Sequence, residues 1–121
     1  MHPSRAALAT KQPVLPSASR AAGAEVVVGP YRTGNAGEVS AWIEVTDKGA
    51  AGTLDARILG SLEEDAASAR RLENVAFTQF TAVGFAAKVA VAPIPPFVWI
   101  GYTVGTNAVE FQADLLVKEA S

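Results

Sequence analysis

From Val109 to Val117 the chain alternates with period two: Val109, Phe111, Ala113, Leu115 and Val117 fall on one face, and Glu110, Gln112, Asp114 and Leu116 on the other. Successive side chains of an extended strand point to opposite faces, so the run reads as a strand with one side in a core and one in water. Glu38 to Asp47 repeats the pattern, with Val39, Ala41, Ile43 and Val45 opposite Glu38, Ser40, Trp42, Glu44 and Thr46. Phased runs recur at Thr53 to Ser61 (Leu54, Ala56, Ile58), Val75 to Thr81, Phe85 to Val91 (Phe85, Ala87, Val89, Val91 in phase) and Phe97 to Val104, after a first short strand at Ala24 to Val28. Turn-forming Gly29-Pro30, Thr33 to Gly37, Lys48 to Gly52, Pro93 to Pro96 and Gly105 to Ala108 separate them. About seven to eight short strands need two packed sheets, so the expected fold is an all-β antiparallel β-sandwich, jelly-roll or immunoglobulin-like. The acidic start and basic finish of Leu62 to Leu72 suit a helix dipole, but its apolar positions are mostly alanine, and a loop with one helical turn is expected.

Charge divides the chain. Residues 1–24 hold three basic side chains and no acidic one, and the remainder holds seven basic against twelve acidic. The expected organisation is a flexible basic N-terminal arm over 1–22, extended from a sandwich domain over 23–121. With Val14 and Leu15 as its only paired large apolar residues, the arm cannot bury enough surface to order alone and is expected to order against a neighbour. Its expected partner contacts are Arg5, Lys11, Val14, Leu15 and Arg20. The stiff apolar loop Pro93 to Phe97 adds Ile94, Pro95 and Phe97 as a contact tip. On this reading, removing residues 1–20 leaves the domain folded and weakens assembly.

The residues argue against most chemistry. No cysteine is present, so disulfides, thiolate metal sites and cysteine nucleophiles are ruled out. The one histidine, His2, lies in the arm, where it serves neither a Ser/His/Asp triad nor a zinc ligand set. No metal, no cofactor and no enzymatic activity are expected. Glu63, Glu64 and Asp65 lack the spaced ligands of a calcium loop, Glu44 and Asp55 are a weak glycosidase pair in so small a domain, and the glycines of residues 29–37 match no phosphate-binding fingerprint. Lys88 and three prolines interrupt Ala82 to Ile100, so no membrane span is expected, and no targeting signal is read. The formal net charge of −2 gives no nucleic-acid surface. Trp42, Trp99 and Tyr31 are candidate ligand-binding aromatics. Together with Tyr102 and Asn107 they support an alternative reading as a carbohydrate- or receptor-binding sandwich module, unless they are buried as packing.

Four stretches carry a resemblance: Gly52-Thr53-Leu54-Asp55-Ala56-Arg57-Ile58-Leu59-Gly60-Ser61-Leu62; Phe77-Thr78-Gln79-Phe80-Thr81; Ile100-Gly101-Tyr102-Thr103-Val104-Gly105; and Val109-Glu110-Phe111-Gln112-Ala113-Asp114-Leu115-Leu116-Val117-Lys118. Together they resemble small virion proteins of tailed bacteriophages, in which a "G-T-x-x-L-D-V-x-I-Q-x-S-x-D" strand precedes "F-x-x-V-T" and a "Y-T-V-G-G-T-x-P-S-F-x-F-x-V" hairpin. Here Leu59 replaces the glutamine, and Asn107-Ala108 stands where the pattern has Ser/Thr-Pro. The resemblance implies a capsid decoration (cement) or other head-associated β-sandwich protein, made in the host cytoplasm and carried on the capsid surface. Its implied partners are the major capsid protein and copies of itself, for example as a trimer.

Overall fold

A computed structural model of the chain describes residues 9–120. It contains eight strands: β1 (Ala9–Arg20), β2 (Val26–Arg32), β3 (Ala36–Lys48), β4 (Thr53–Ser61), β5 (Leu72–Ala76), β6 (Gly84–Val89), β7 (Phe97–Gly105) and β8 (Val109–Glu119). One sheet, A, has the order β1-β8-β3-β6, and the other, B, has β2-β7-β4-β5, all neighbours antiparallel. The pairs β1/β8, β2/β7, β3/β6 and β4/β5 are those of one long hairpin, with β4 and β5 at its tip. Its successive pairs fall alternately on sheets A and B, which makes the sandwich a jelly roll and settles the choice left open by the strand pattern. Between Ser61 and Leu72 lies a loop with one short 3₁₀ turn, Ser68–Arg70.

The core is built from the phased residues. Val39, Ala41, Ile43 and Val45 of β3 and Val109, Phe111, Ala113 and Leu115 of β8 face Leu54, Ala56 and Ile58 of β4 and Val98, Ile100 and Val104 of β7, all buried. Tyr102 stands edge-on to Phe111 at 5.1 Å between ring centroids. Sequence and structure share the bounds of β4 and agree closely on β3, β7 and β8. The strand expected at Val75 to Thr81 is instead β5, displaced toward Leu72, while Phe77 and Phe80 leave the ladder to fill the core as a tilted pair. They are held there by backbone hydrogen bonds from Phe77 N–H to the Ala56 carbonyl and from Phe80 N–H to the Leu54 carbonyl. Gly29-Pro30 is no loop either, but an irregularity inside β2, where the register shifts between Val28 and Tyr31.

Two expectations are corrected. Of the arm, residues 9–20 are extended, but they pair with β8 of their own chain from Ala9–Lys118 to Arg20–Val109, and Val14 and Leu15 pack half-buried on the core. The main-chain ladder supplies the ordering that the side chains could not. The second correction is the phase of β6. Ala90 N–H donates to the Val39 carbonyl at 2.7 Å, which locks β6 to β3 so that Ala86, Lys88 and Ala90 turn toward sheet B. Phe85 and Val89, from the phased apolar face, are 59% and 52% exposed. Phe77 and Phe80, in the connection from β5, supply large side chains to the core to which Ala86 and Ala90 contribute only methyl groups.

Two stability measurements follow. Phe111→Ala and Ile43→Ala, at fully buried sites, should each lower the unfolding free energy by about 2 to 5 kcal/mol in urea titrations; a loss under about half a kcal/mol at either site contradicts the register. Deleting residues 1–20, contrary to the expectation from the arm's composition, should cause a large drop in melting temperature, because it strips the β1 ladder from β8 and uncovers core contacts of Val14 and Leu15.

Candidate binding surface

The residues expected to make contacts are largely spent on the fold. In β1, Lys11 lies 3.9 Å from Asp114 in an exposed ion pair, and Arg20 stacks over the Phe111 ring at 5.0 Å while donating to the Pro16 carbonyl at 2.6 Å. Arg5 lies outside the described residues. The loop before β7 is strapped down rather than projecting. Ile94 packs on the core, Pro95 lies so close to Gly60 that no Cβ would fit there, and Thr33 Oγ1 donates to the Pro95 carbonyl at 2.7 Å. Phe97 is half-buried, with the Arg32 guanidinium 5.9 Å from its ring centre. Ile94, Pro95 and Phe97 are thus each half-buried within the chain's own fold.

The three candidate aromatics do not converge. Trp99 faces outward from sheet B as the alternation requires, but the loop between β4 and β5 covers it. There it forms a second small core with Leu59 and Ala66, under the Arg71 guanidinium at 5.2 Å. Gly29 makes room on its other side: a Cβ there would come within 2.7 Å of the Trp99 ring. Tyr31 packs half-buried on the main core, and burial raises its hydroxyl pKa. Asn107 Oδ1 accepts from Ala51 N–H at 3.0 Å, tying the β7–β8 turn to the β3–β4 turn. Trp42 alone stands in the open, on the outer face of sheet A.

The acidic candidates are likewise engaged. Glu44 lies on the outer face of sheet A and Asp55 on that of sheet B, so the two carboxylates cannot share a cleft. Both Asp55 oxygens accept from Gln79. Glu64 pairs with Arg32 at 2.8 Å and Glu63 with Arg70 at 3.5 Å, which separates the acidic run. Among the described residues no group of three or more His, Cys, Asp or Glu is placed to hold a metal ion, and no helix is long and apolar enough to cross a membrane. An open hollow on sheet B is walled by Glu25, Asp55, Arg57, Glu73 and Thr103. Arg57 is shared by two of its three carboxylates: it donates from Nε and Nη2 to the two Glu25 oxygens, both at 2.7 Å, and approaches Glu73 at 3.5 Å.

Exposed apolar side chains cluster in two places: Leu62 and Leu72 at the ends of the loop between β4 and β5, and a band on the outer face of sheet A. The cross-strand rows run Lys11, Leu116, Ser40, Val89; then Pro13, Asp114, Trp42, Ala87; then Gln112, Glu44, Phe85. Trp42 donates from Nε1 to Ser40 Oγ at 2.8 Å, and its ring meets Phe85 at 5.6 Å, inclined by 53°. Beside them, Lys11, Asp114 and Leu116 border a shallow hollow of about 300 Å³. Val83 and Val91, flanking β6, are also more than half exposed. Phe85 and Val89 escape a reading of the sequence alone because their phase comes from β3; the outward Trp42 was the one signal pointing to this face. The fold and this surface define the class: an eight-stranded jelly roll with an exposed apolar band on the outer face of one sheet. No protein-family model and no curated protein matches the chain.

The Arg57 cluster yields a pH prediction. Hydrogen bonds from Arg57 hold the Glu25 carboxyl below its ordinary pKa, against the opposing effect of burial. A carboxyl with a lowered folded-state pKa stabilises above its unfolded pKa and loses that contribution as the pH falls through the folded value. Glu25→Gln should therefore lower the melting temperature modestly at neutral pH, the pair being partly solvent-screened. The difference from wild type should shrink in melts taken at increasing acidity; a constant difference would show that the charge does not matter.

Proposed function

We propose that this chain is a non-catalytic structural protein that docks on a larger protein surface through the outer face of sheet A, as a decoration or head-associated protein of a tailed-phage capsid. The observation that carries the docking role is the exposed band of Trp42, Phe85 and Val89, with Val83 and Val91 beside it. Clustered exposed apolar side chains on a small domain mark a contact surface, and an aromatic centre rimmed by polar residues is the composition of an interface core. Lys11, Glu44, Gln112 and Asp114 supply the rim.

The virion setting comes from the resemblance carried by residues 52–62, 77–81, 100–105 and 109–118. An eight-stranded jelly roll accommodates it, but that architecture serves capsid and lectin domains alike and so adds no preference. On this proposal the partner is the major capsid protein, and the protein acts on the outside of the shell. β1, committed to its own sheet by the β8 ladder, contributes Lys11 to the rim rather than a free arm.

A sugar-binding reading draws on Trp42 and the neighbouring hollow. It is the weaker one, because the Trp42 and Phe85 rings are inclined to each other rather than coplanar and the band continues into valines, which suit a protein surface better than a hydroxyl-rich ligand.

The test is co-sedimentation with empty head shells of the phage whose genome encodes the chain. Wild type should pellet with the shells, and Trp42→Ser with Phe85→Ser should remain in the supernatant while melting as cooperatively as wild type. Absence of shell binding by wild type, with a positive glycan-array signal lost in Trp42→Ser, would replace this reading with the carbohydrate one.

A further inference from the structure

The four sheet edges are not equivalent. Strand β1 carries Pro13 and Pro16 and two register shifts. Strand β2 carries Pro30 and a shift, and β5 is five residues long with a shift in its pairing. Prolines, irregularities and shortness are the means by which proteins blunt edges against further pairing. Strand β6 has none of the first two: it pairs with β3 from Gly84 to Val89 without a shift and contains no proline.

The direction of its free groups follows from the ladder. Ala90 N–H points to β3, so by alternation the N–H and C=O groups of Phe85, Ala87 and Val89 point away from it, along the open edge. The next outward position, Val91, is closed by Asn74, whose side-chain amide donates to the Val91 carbonyl at 3.0 Å and accepts from Val91 N–H at 2.6 Å. The free edge is therefore three residues with a defined end.

We propose that β6 is a homodimer edge, on which a second copy of this chain adds its own β6 antiparallel about a two-fold axis through Ala87. The self-complementary pattern argues for a second copy. The exposed outward residues read Val83, Phe85, Ala87, Val89, Val91, so a two-fold at Ala87 sets the small residue against itself and large apolar against large apolar at each step outward, as an isologous interface requires. In this register Phe85 pairs with Val89 of the second copy, all three free residues of each strand enter the ladder, and Lys88 lies opposite Ala86, which leaves room for its stem. A two-residue shift one way sets Lys88 against Lys88 and calls on Val91, already taken by Asn74. The shift the other way calls on Val83, outside the strand. The joined sheet has eight strands, and its outer face carries two copies of the Trp42–Phe85 band side by side.

The test needs only the purified protein, so it stands or falls apart from shell binding. Sedimentation velocity over a concentration series should show a monomer–dimer equilibrium for wild type. Ala87→Pro removes an N–H that β3 does not use; it should keep the monomer's melting temperature close to wild type and weaken dimerisation by about tenfold or more. The chain has no cysteine, so Ala87→Cys gives a single thiol at the axis, where facing Cα atoms lie about 5.5 Å apart, within reach of a short homobifunctional thiol reagent. That reagent should join Ala87→Cys into a covalent dimer, whereas Val89→Cys, displaced from its symmetry mate, should not be joined. Wild type that stays monomeric throughout overturns the proposal. So does equal cross-linking at positions 87 and 89, which decides the matter if Ala87→Pro does not fold.

Discussion

The pairing of β3 with β8 sets everything else in sheet A. It runs antiparallel from Ala36–Glu119 to Lys48–Val109, and both strands present an unbroken buried face, Val39 to Val45 on one and Val109 to Leu115 on the other. A one-residue slip of either strand would turn that face to water. Each large buried side chain contributes about 1.5 to 3 kcal/mol, so a slip would forfeit several such contributions at once, more than a domain of this size holds in net stability. The outer strands take their phase from this pair. Strand β1 follows β8 despite its prolines, and β6 follows β3 despite its own hydrophobic pattern.

That hierarchy explains what was legible. Strands whose own alternation agrees with the ladder, β3, β4, β7 and β8, appear in the sequence with nearly correct bounds, and the resembling segments coincide with β4, β7, β8 and the core aromatics Phe77 and Phe80. These are packing patterns, so they convey the fold and carry little about a contact surface. The misread elements owe their structure to partners distant in sequence. Residues 9–20 look unable to order because their side chains bury little, yet backbone hydrogen bonding to β8 needs no apolar side chain. Trp99 looks like an exposed platform until the loop bearing Ala66 and Arg71 folds over it. The alternation of β3 leaves Trp42 either outward or packed, and it stands outward at 37% exposure; Phe85, its neighbour across the ladder, is out of reach of such reasoning, because nothing in residues 84–91 records the hydrogen bond from Ala90 to Val39.

The inversion of β6 is where local and global preferences conflict, and such conflicts concentrate at functional sites. Turned the other way, Phe85 and Val89 could recover about 1.5 to 3 kcal/mol each and Lys88 would reach water. The β3 ladder forbids that turn: it sets Ala86 and Lys88 opposite buried Ile43 and Ala41, so the inner face of β6 is an alanine and a lysine stem, and Phe77 and Phe80 supply large side chains to the core instead. The chain thus keeps Phe85, which meets Trp42 of β3 at 5.6 Å between ring centroids, exposed on β6, the one edge strand that carries neither a proline nor a register shift. Lys88, inward on that strand, is the ordinary safeguard against indiscriminate pairing, and here it also discriminates between registers, tolerating the one that places it beside an alanine.

Face and edge then act together. A single copy offers a band two strands wide, from Trp42 on β3 to Phe85 and Val89 on β6, with polar residues on β8 as its far rim. Pairing two β6 strands would not cover that band; it would double it, because edge addition consumes backbone groups and leaves the outward side chains where they were. Two linked faces gain avidity on a repetitive surface without any new kind of contact. A shell assembled from many identical subunits is one such surface, so a pairing of β6 strands, as proposed, would suit the proposed docking role.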